Sequence, residues 1–156
     1  RTIDPESGDP VPAGVQGIVE VGSGDGSWVR TTDLGRIDED GFVWIDGRTD
    51  DAILRGGFKV FPAEIVEVLR SHPAVRDAGV AGIPDARLGQ VPVAAVELAA
   101  EVDVTPEDLL AFASEHLVGY KLPVELRVVD ELPRTPSMKV SAPGVRELFS
   151  AEEVER

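Results

Sequence analysis

The sequence contains no cysteine. That absence excludes disulfides, thiolate nucleophiles and cysteine-ligated metals, and it is the composition expected of a cytoplasmic protein. Cations are scarce as well: 15 Lys and Arg stand against 29 Asp and Glu, a formal charge of −14. A chain of that sign is repelled by phosphate backbones and anionic lipid, so nucleic acid and membrane surfaces are not expected partners. No apolar run approaches the roughly 18 residues that span a bilayer, and no basic stretch followed by an apolar one resembles a signal peptide. The only two histidines, His72 and His116, fall at predicted helix ends without a second histidine or carboxylate at ligand spacing. Both are expected to be structural, and no metal site is expected. The acidic run Asp38-Glu39-Asp40 lacks the regularly spaced oxygen ligands of a calcium loop, and turn chemistry accounts for it.

What is present suffices for a folded domain, since 42% of the 156 residues are hydrophobic. The chain opens on Arg1 rather than methionine, so upstream residues are expected, and part of the function with them. Residues 1–30 alternate turn formers with short apolar strings, such as Gly17 to Val21 and Trp28-Val29, and predict small strands and loops. Gly35-Arg36-Ile37 and Phe42 to Ile45 flank Asp38 to Gly41, where the Asp-Gly step supplies the positive φ of a tight hairpin turn. The polar string Gly47 to Asp51 then separates this turn-rich β region from alternating helices and strands.

Pro62 predicts a helix start, with Glu64 and Glu67 near the positive end of its dipole, Ile65, Val68 and Leu69 on one face, and His72-Pro73 as the stop. Val75 to Ile83 and Val91 to Leu98 predict strands joined by the loop Pro84 to Gln90. The second strand is almost continuously apolar and is expected to be covered on both faces. Thr105-Pro106-Glu107-Asp108 caps a second helix, for which Gly119 is the expected C-cap. A last strand around Val124 to Val129 leads into the loop Leu132 to Ser137, and a short helix is expected beyond Pro143. The acidic tail Glu152 to Glu155 is expected to fray. The order β, α, β, β, α, β predicts an α+β fold: a small mixed sheet flanked by helices, preceded by a β-hairpin and short strands.

Three segments stand out. The first is Arg30-Thr31-Thr32-Asp33-Leu34-Gly35. The second runs from Asp46-Gly47-Arg48-Thr49-Asp50-Asp51 through Arg55-Gly56-Gly57-Phe58-Lys59-Val60 to Pro62-Ala63-Glu64-Ile65. The third is Leu132-Pro133-Arg134-Thr135-Pro136-Ser137-Met138-Lys139. Taken singly each is weak: Arg30 to Leu34 predicts a loop followed by a hairpin, Gly56-Gly57 a turn, Asp50-Asp51 a helix cap or a solvated loop, and Lys139 a solvated lysine. Taken together, in this order and with a hairpin, a helix and strands between them, they resemble the adenylate-forming family of acyl-CoA synthetases, peptide-synthetase adenylation domains and luciferases. The likeness covers nearly the whole chain. Within the family it looks most similar to bacterial fatty-acyl or medium-chain acyl-CoA ligases.

The resemblance implies that residues 1–49 end a large amino-terminal domain and that 50–156 form a small mobile carboxyl-terminal one, hinged at Asp50. It implies a parent enzyme that activates a carboxylic acid with ATP and Mg2+ and passes the acyl group to coenzyme A. Delivery to a carrier-protein phosphopantetheine uses the same motifs and stays open, as does a non-catalytic binding role for the isolated chain. By the family pattern Asp33 binds the ribose hydroxyls, which a carboxylate can do by accepting from both. Arg48 lies near phosphate or ribose, Lys59 meets a phosphate, and Arg55, Gly56, Gly57 and Phe58 line the passage for the pantetheine thiol. Lys139 is the matching adenylation lysine, an ammonium placed between a carboxylate and the α-phosphate. Two positions depart from the pattern. Thr32 and Met138 stand where the family has glycine, and Met138 is expected to stiffen or re-aim the lysine loop. The phosphate-binding and acyl-pocket segments belong to the large domain, so the 156 residues alone are expected to be inactive.

Overall fold

A computed structural model describes residues 1–100 and 102–150, so the acidic tail lies outside the described residues. The chain forms two compact units, Arg1–Ala52 and the part from Ile53 onward. In the first, β1 (Thr2–Ile3), β2 (Gly17–Gly22), β3 (Trp28–Ile37) and β4 (Val43–Arg48) pair antiparallel in that order. Arg30 to Leu34 is therefore the middle of a continuous strand, not a loop. The β3–β4 turn is the expected one: Gly41 takes φ 88°, and the Asp38 carboxylate accepts from the Asp40 and Phe42 amides and from Trp44 Nε1. Ile3, Ile18, Val19 and Leu34 make the small core. A single turn of 3-10 helix, Thr49–Asp51, follows β4.

The second unit is an α+β layer, as the segment order predicts. Its elements are β5 (Ile53–Arg55), β6 (Phe58–Val60), α1 (Pro62–Arg70), β7 (Val75–Asp85), β8 (Gly89–Leu98), α2 (Pro106–His116), β9 (Glu125–Val128) and α3 (Ala142–Ser150). The sheet runs β6-β5-β8-β7, all antiparallel, while β9 joins β8 in parallel and makes the sheet mixed. Every residue from Val91 to Glu97 on β8 is buried. Alternation then sorts them: Ala94 and Val96 face a core with Ile65, Leu69, Leu109 and Leu126, whereas Val93 and Ala95 face one with Leu132, Val145 and Phe149. One strand thus carries both helical layers.

Local signals placed the helix starts correctly. Pro62 is in the first turn of α1, and Thr105 and Asp108 exchange both bonds of a capping box at α2. Two expectations need correction. Helix α2 ends at His116 with Leu117 extended as its C-cap. Gly119 instead opens a separate 3-10 turn, Gly119–Lys121, and has no positive φ. Leu117 is buried in the main core, and that anchorage ends the helix before the glycine is reached. The β7–β8 connection is also tighter than the predicted loop. Asp85 accepts from the Arg87 and Leu88 amides, Gly89 takes φ 83°, and pairing continues to Asp85↔Gly89.

At Gly79 on β7 an added Cβ would fall 2.6 Å from a Val140 methyl carbon and 2.8 Å from one of Val145. Gly79→Ala is expected to destabilise the second unit by about 1–3 kcal/mol through overpacking, measured as a lower midpoint in urea unfolding.

Candidate functional site

The residues of interest fall into three constellations. In the first unit, Asp33 and Arg48 are paired residues on β3 and β4, and Asp50 follows in the 3-10 turn. Arg48 engages Asp50 with two parallel bonds, Nε to Oδ1 and Nη2 to Oδ2, each 2.8 Å. Its Nη1 lies 4.0 Å from Asp33 Oδ1. The Arg48 guanidinium holds the Asp50 carboxyl below the usual range, against desolvation. The structure therefore brings Asp33, Arg48 and Asp50 together on a solvent-facing edge. Thr32 is not in the left-handed region, and its carbonyl accepts from Thr49 Oγ1, so the added Cβ brings no backbone strain.

The second constellation is the β5–β6 turn. Gly56 and Gly57 are its two loop residues, with φ 55° and 88°, the mirror-image turn geometry that suits the twist of a two-residue hairpin and favours glycine at both places. Arg55 does not project freely: its Nη1 donates to the carbonyls of Tyr120 (3.0 Å) and Leu122 (3.1 Å). Phe58 stacks on Tyr120 with centroids 4.6 Å apart, and Lys121 bonds both oxygens of Glu64 at 2.8 Å. The segment Tyr120-Lys121-Leu122 is thus the seat of this turn, a role that no local signal marks. Lys59 is exposed on β6.

The third is the loop from Leu132 to Val140. Arg134 and Val140 form an isolated bridge, Thr135 N donates to Lys139 O (2.8 Å), and Met138 N donates to Thr135 O (2.9 Å). Inside this closed loop Met138 takes φ 65°, alone among the described non-glycine residues, and is 70% exposed. The lysine loop thus keeps the left-handed bend that glycine adopts without strain, and Met138 bears the strain instead. Lys139 is exposed, and its ammonium has no hydrogen-bond or ion-pair partner among the described residues.

Beneath that loop lies a buried acid that none of the three motifs includes. Glu97, 2% exposed, accepts the Leu132 amide at 2.6 Å and binds Arg76. The Leu132 N–H, opposed by burial and helped by Arg76, holds its carboxyl below the ordinary glutamate range. The signal was there: Glu97 is the one acid inside the apolar run Val91 to Leu98. Elsewhere, His72 Nδ1 accepts the Ala74 amide, and His116 Nδ1 lies 2.9 Å from the Phe112 carbonyl, with the Phe112 ring between the two imidazoles. No three His, Asp or Glu side chains gather as a metal-binding set among the described residues.

The third constellation also places the chain among known proteins, because residues 64–139, from Glu64 to Lys139, match the family model of the AMP-binding enzyme C-terminal domain. That stretch belongs to this family. It is 46% identical over 128 residues to a 2-succinylbenzoate–CoA ligase from Geobacillus, a match covering 82% of this chain and 26% of that protein. The chain spans about a quarter of the length of such curated relatives. Among solved structures, apo MatB from Rhodopseudomonas palustris superposes with TM-score 0.78 at 32% identity, over 96% of this chain and 33% of that one. A Mycobacterium tuberculosis fatty acyl CoA synthetase gives TM-score 0.81 at 29% identity, over 97% and 33%. No helix among the described residues is long and apolar enough to cross a membrane.

Two outcomes follow from this geometry. Met138→Gly removes the left-handed strain but loosens the unfolded chain, for a net stabilisation of about 0.5–1 kcal/mol, seen as a higher midpoint in thermal unfolding. A depressed carboxyl pKa stabilises the fold above the unfolded-state value and is lost as pH falls through the folded one. Stability is therefore expected to decline as pH drops below about 4.5, the ordinary glutamate value, and to decline less steeply in Glu97→Gln, measured by denaturant unfolding between neutral pH and about 3.

Proposed function

We propose that the chain is the carboxyl-terminal portion of a longer ATP-dependent acid–thiol ligase, with Lys139 serving acyl-adenylate formation and the Arg55–Lys59 turn serving acyl transfer to coenzyme A. The observation that carries this reading is the separation of the two loops within one rigid sheet. The Gly56–Gly57 turn is tied to the Gly89 end of β8, by the pair Arg55↔Gly89 and by Gly56 N to Leu88 O. The Lys139 loop is tied to the Ala95–Glu97 end, through Glu97 and through Val140 against Gly79, which pairs with Ala95. Six to eight residue steps of strand separate the anchors, roughly 20–26 Å at the usual rise per residue. Two groups that far apart serve one acyl centre only in succession, if the second unit is re-presented between steps. Asp50, next to the boundary between the units, is the hinge in this reading.

The chemistry divides accordingly. In the first step a substrate carboxylate oxygen bonds the α-phosphorus of ATP as the bond to pyrophosphate breaks. Lys139, exposed beside the bond that closes its loop and without an ion pair among the described residues, places an ammonium between two anions that would otherwise repel. Asp33 accepts from the ribose hydroxyls, and Arg48 and Lys59 offer cations to phosphate. In the second step the thiol sulfur bonds the acyl carbon, AMP leaves with the electron pair, and the thiol proton passes to solvent. The turn with side-chain-free Gly56 and Gly57 lets the pantetheine arm pass close to backbone. Magnesium would enter with the nucleotide's phosphates, and no three His, Asp or Glu side chains gather as a ligand set for it among the described residues. The pools of ATP and coenzyme A make the cytoplasm the site of action. The missing amino-terminal domain supplies the acid pocket. 2-Succinylbenzoate is the first acid to assay, because relatives spanning this chain are named for it, and coenzyme A is the first acceptor, with a carrier protein as its alternative.

In the full-length enzyme, Lys139→Ala is expected to lower ATP–pyrophosphate exchange by about 10²–10³-fold while thioester formation from supplied acyl-adenylate persists. Asp50→Pro, which stiffens the connection, is expected to do the opposite. The reading is abandoned if Lys139→Ala leaves exchange at the wild-type rate, and the hinge is abandoned if Asp50→Pro slows both half-reactions equally.

A further inference from the structure

Asp77 and Glu97 are direct partners across the β7–β8 ladder, so their carboxylates stand on the same face of neighbouring strands. Like charges placed opposite each other in this way repel, and more so when buried. Glu97 is 2% exposed, and the Asp77 side chain 15%. Burial pushes the Asp77 carboxyl up, and the Arg134 and Arg70 guanidiniums outweigh it to leave it below the ordinary value. Both carboxylates are therefore charged at neutral pH, and the pair needs cations to exist at all.

Two of those cations are local and point outward: Arg70 at the end of α1 holds Asp77, and Arg76 holds Glu97. The third comes from the lysine loop. Arg134 Nη2 donates to Asp77 Oδ2 at 2.8 Å and lies 3.4 Å from Glu97 Oε1, so one nitrogen bridges both acids. The other terminal nitrogen, Nη1, donates to the carbonyl of Met138 at 3.3 Å. That carbonyl belongs to the peptide joining Met138 to Lys139, on the residue whose φ of 65° turns the chain. Glu97 also fixes the other end of the loop through the Leu132 amide. One guanidinium fork thus links a buried pair of anions to the peptide plane from which Lys139 projects.

The geometry points to a positioning role for this trio: the Asp77–Glu97 carboxylate pair, acting through Arg134, holds the Met138–Lys139 peptide and so sets where the Lys139 ammonium stands during acyl-adenylate formation. This rests on the reading of Lys139 given above. The physical content is that a left-handed non-glycine residue relaxes toward other conformations when its hydrogen bonds are removed, and that relaxation rotates the peptide that orients Lys139. A catalytic group displaced by about an ångström loses on the order of 10²-fold in rate. The fork geometry makes arginine specific here, because a lysine ammonium can meet the acids but cannot at the same time reach the Met138 carbonyl in a second direction.

Two measurements test this, one of which needs no catalysis. In the 156-residue chain, Arg134→Ala is expected to raise amide hydrogen exchange at Met138 and Lys139 while Val93 to Val96 on β8 stay protected. Unchanged exchange at Met138 and Lys139 would overturn the clamp. In the full-length enzyme, Arg134→Ala is expected to lower kcat for ATP–pyrophosphate exchange about 10–100-fold, with KM for ATP within about threefold and acyl transfer from supplied acyl-adenylate within about twofold. Arg134→Lys is expected to fall between it and wild type. Asp77→Asn, which keeps the shape of the site, reads the same effect if Arg134→Ala does not fold. Equal loss in both half-reactions, or wild-type exchange in Arg134→Ala where Lys139→Ala is inactive, refutes the positioning role. If Lys139→Ala is itself fully active, the functional reading fails and the positioning role goes with it, even where the amide-exchange result stands.

Discussion

Strand β8 is the constraint on which the second unit depends. Its run from Val91 to Glu97 is buried on both faces, and the period of two sends Ala94 and Val96 into one core and Val93 and Ala95 into the other. A register slip by one residue would exchange the two sets and unseat both helical layers at once. Because α1 and α2 pack on one face and α3 with Leu132 on the other, every loop anchored to this strand is fixed relative to the rest of the unit. The β5–β6 turn is anchored at its beginning and the lysine loop toward its end, and their separation is a property of the strand's length rather than of either loop.

The same burial makes Glu97 exceptional. A charged side chain in such a strand is tolerated only with partners. Here Arg76 on the neighbouring strand supplies one, and the lysine loop packed above supplies the Leu132 amide and Arg134, which bridges Asp77 and Glu97. The strongly acidic composition sharpens the point. With 29 acids to 15 bases, arginines are limiting, and Arg70, Arg76 and Arg134 all converge on the Asp77–Glu97 pair. Elsewhere the acids are mostly solvated or accept backbone amides at turns, as Asp38 and Asp85 do.

Much of the fold was legible beforehand. The starts of α1 and α2, the Asp38–Gly41 turn, the apolar β8 and the β, α, β, β, α, β order all follow from residues within a few positions of one another, and the family resemblance pointed to Lys139 and to the Gly56–Gly57 turn. Less legible were the ends of elements. Gly119 was expected to cap α2, yet the buried Leu117 ended the helix first. The β7–β8 loop closed early because Asp85 could accept two amides while Gly89 turned. In each case a tertiary contact or a side-chain bond overrode a residue preference of about a kilocalorie.

The sequence by itself determined the local conformations: proline and capping residues begin helices, paired glycines make the mirror-image turn, and alternation assigns strand faces. These need only neighbours in the chain. The tertiary structure alone decided which distant charges meet. It gave Arg55 to the Tyr120 and Leu122 carbonyls, 65 and 67 residues away, and Arg134 to Asp77 and Glu97, 57 and 37 residues away. Such pairings depend on strand register and on which layer covers which face, and both are set by burial summed over the whole unit, which no single segment of sequence contains.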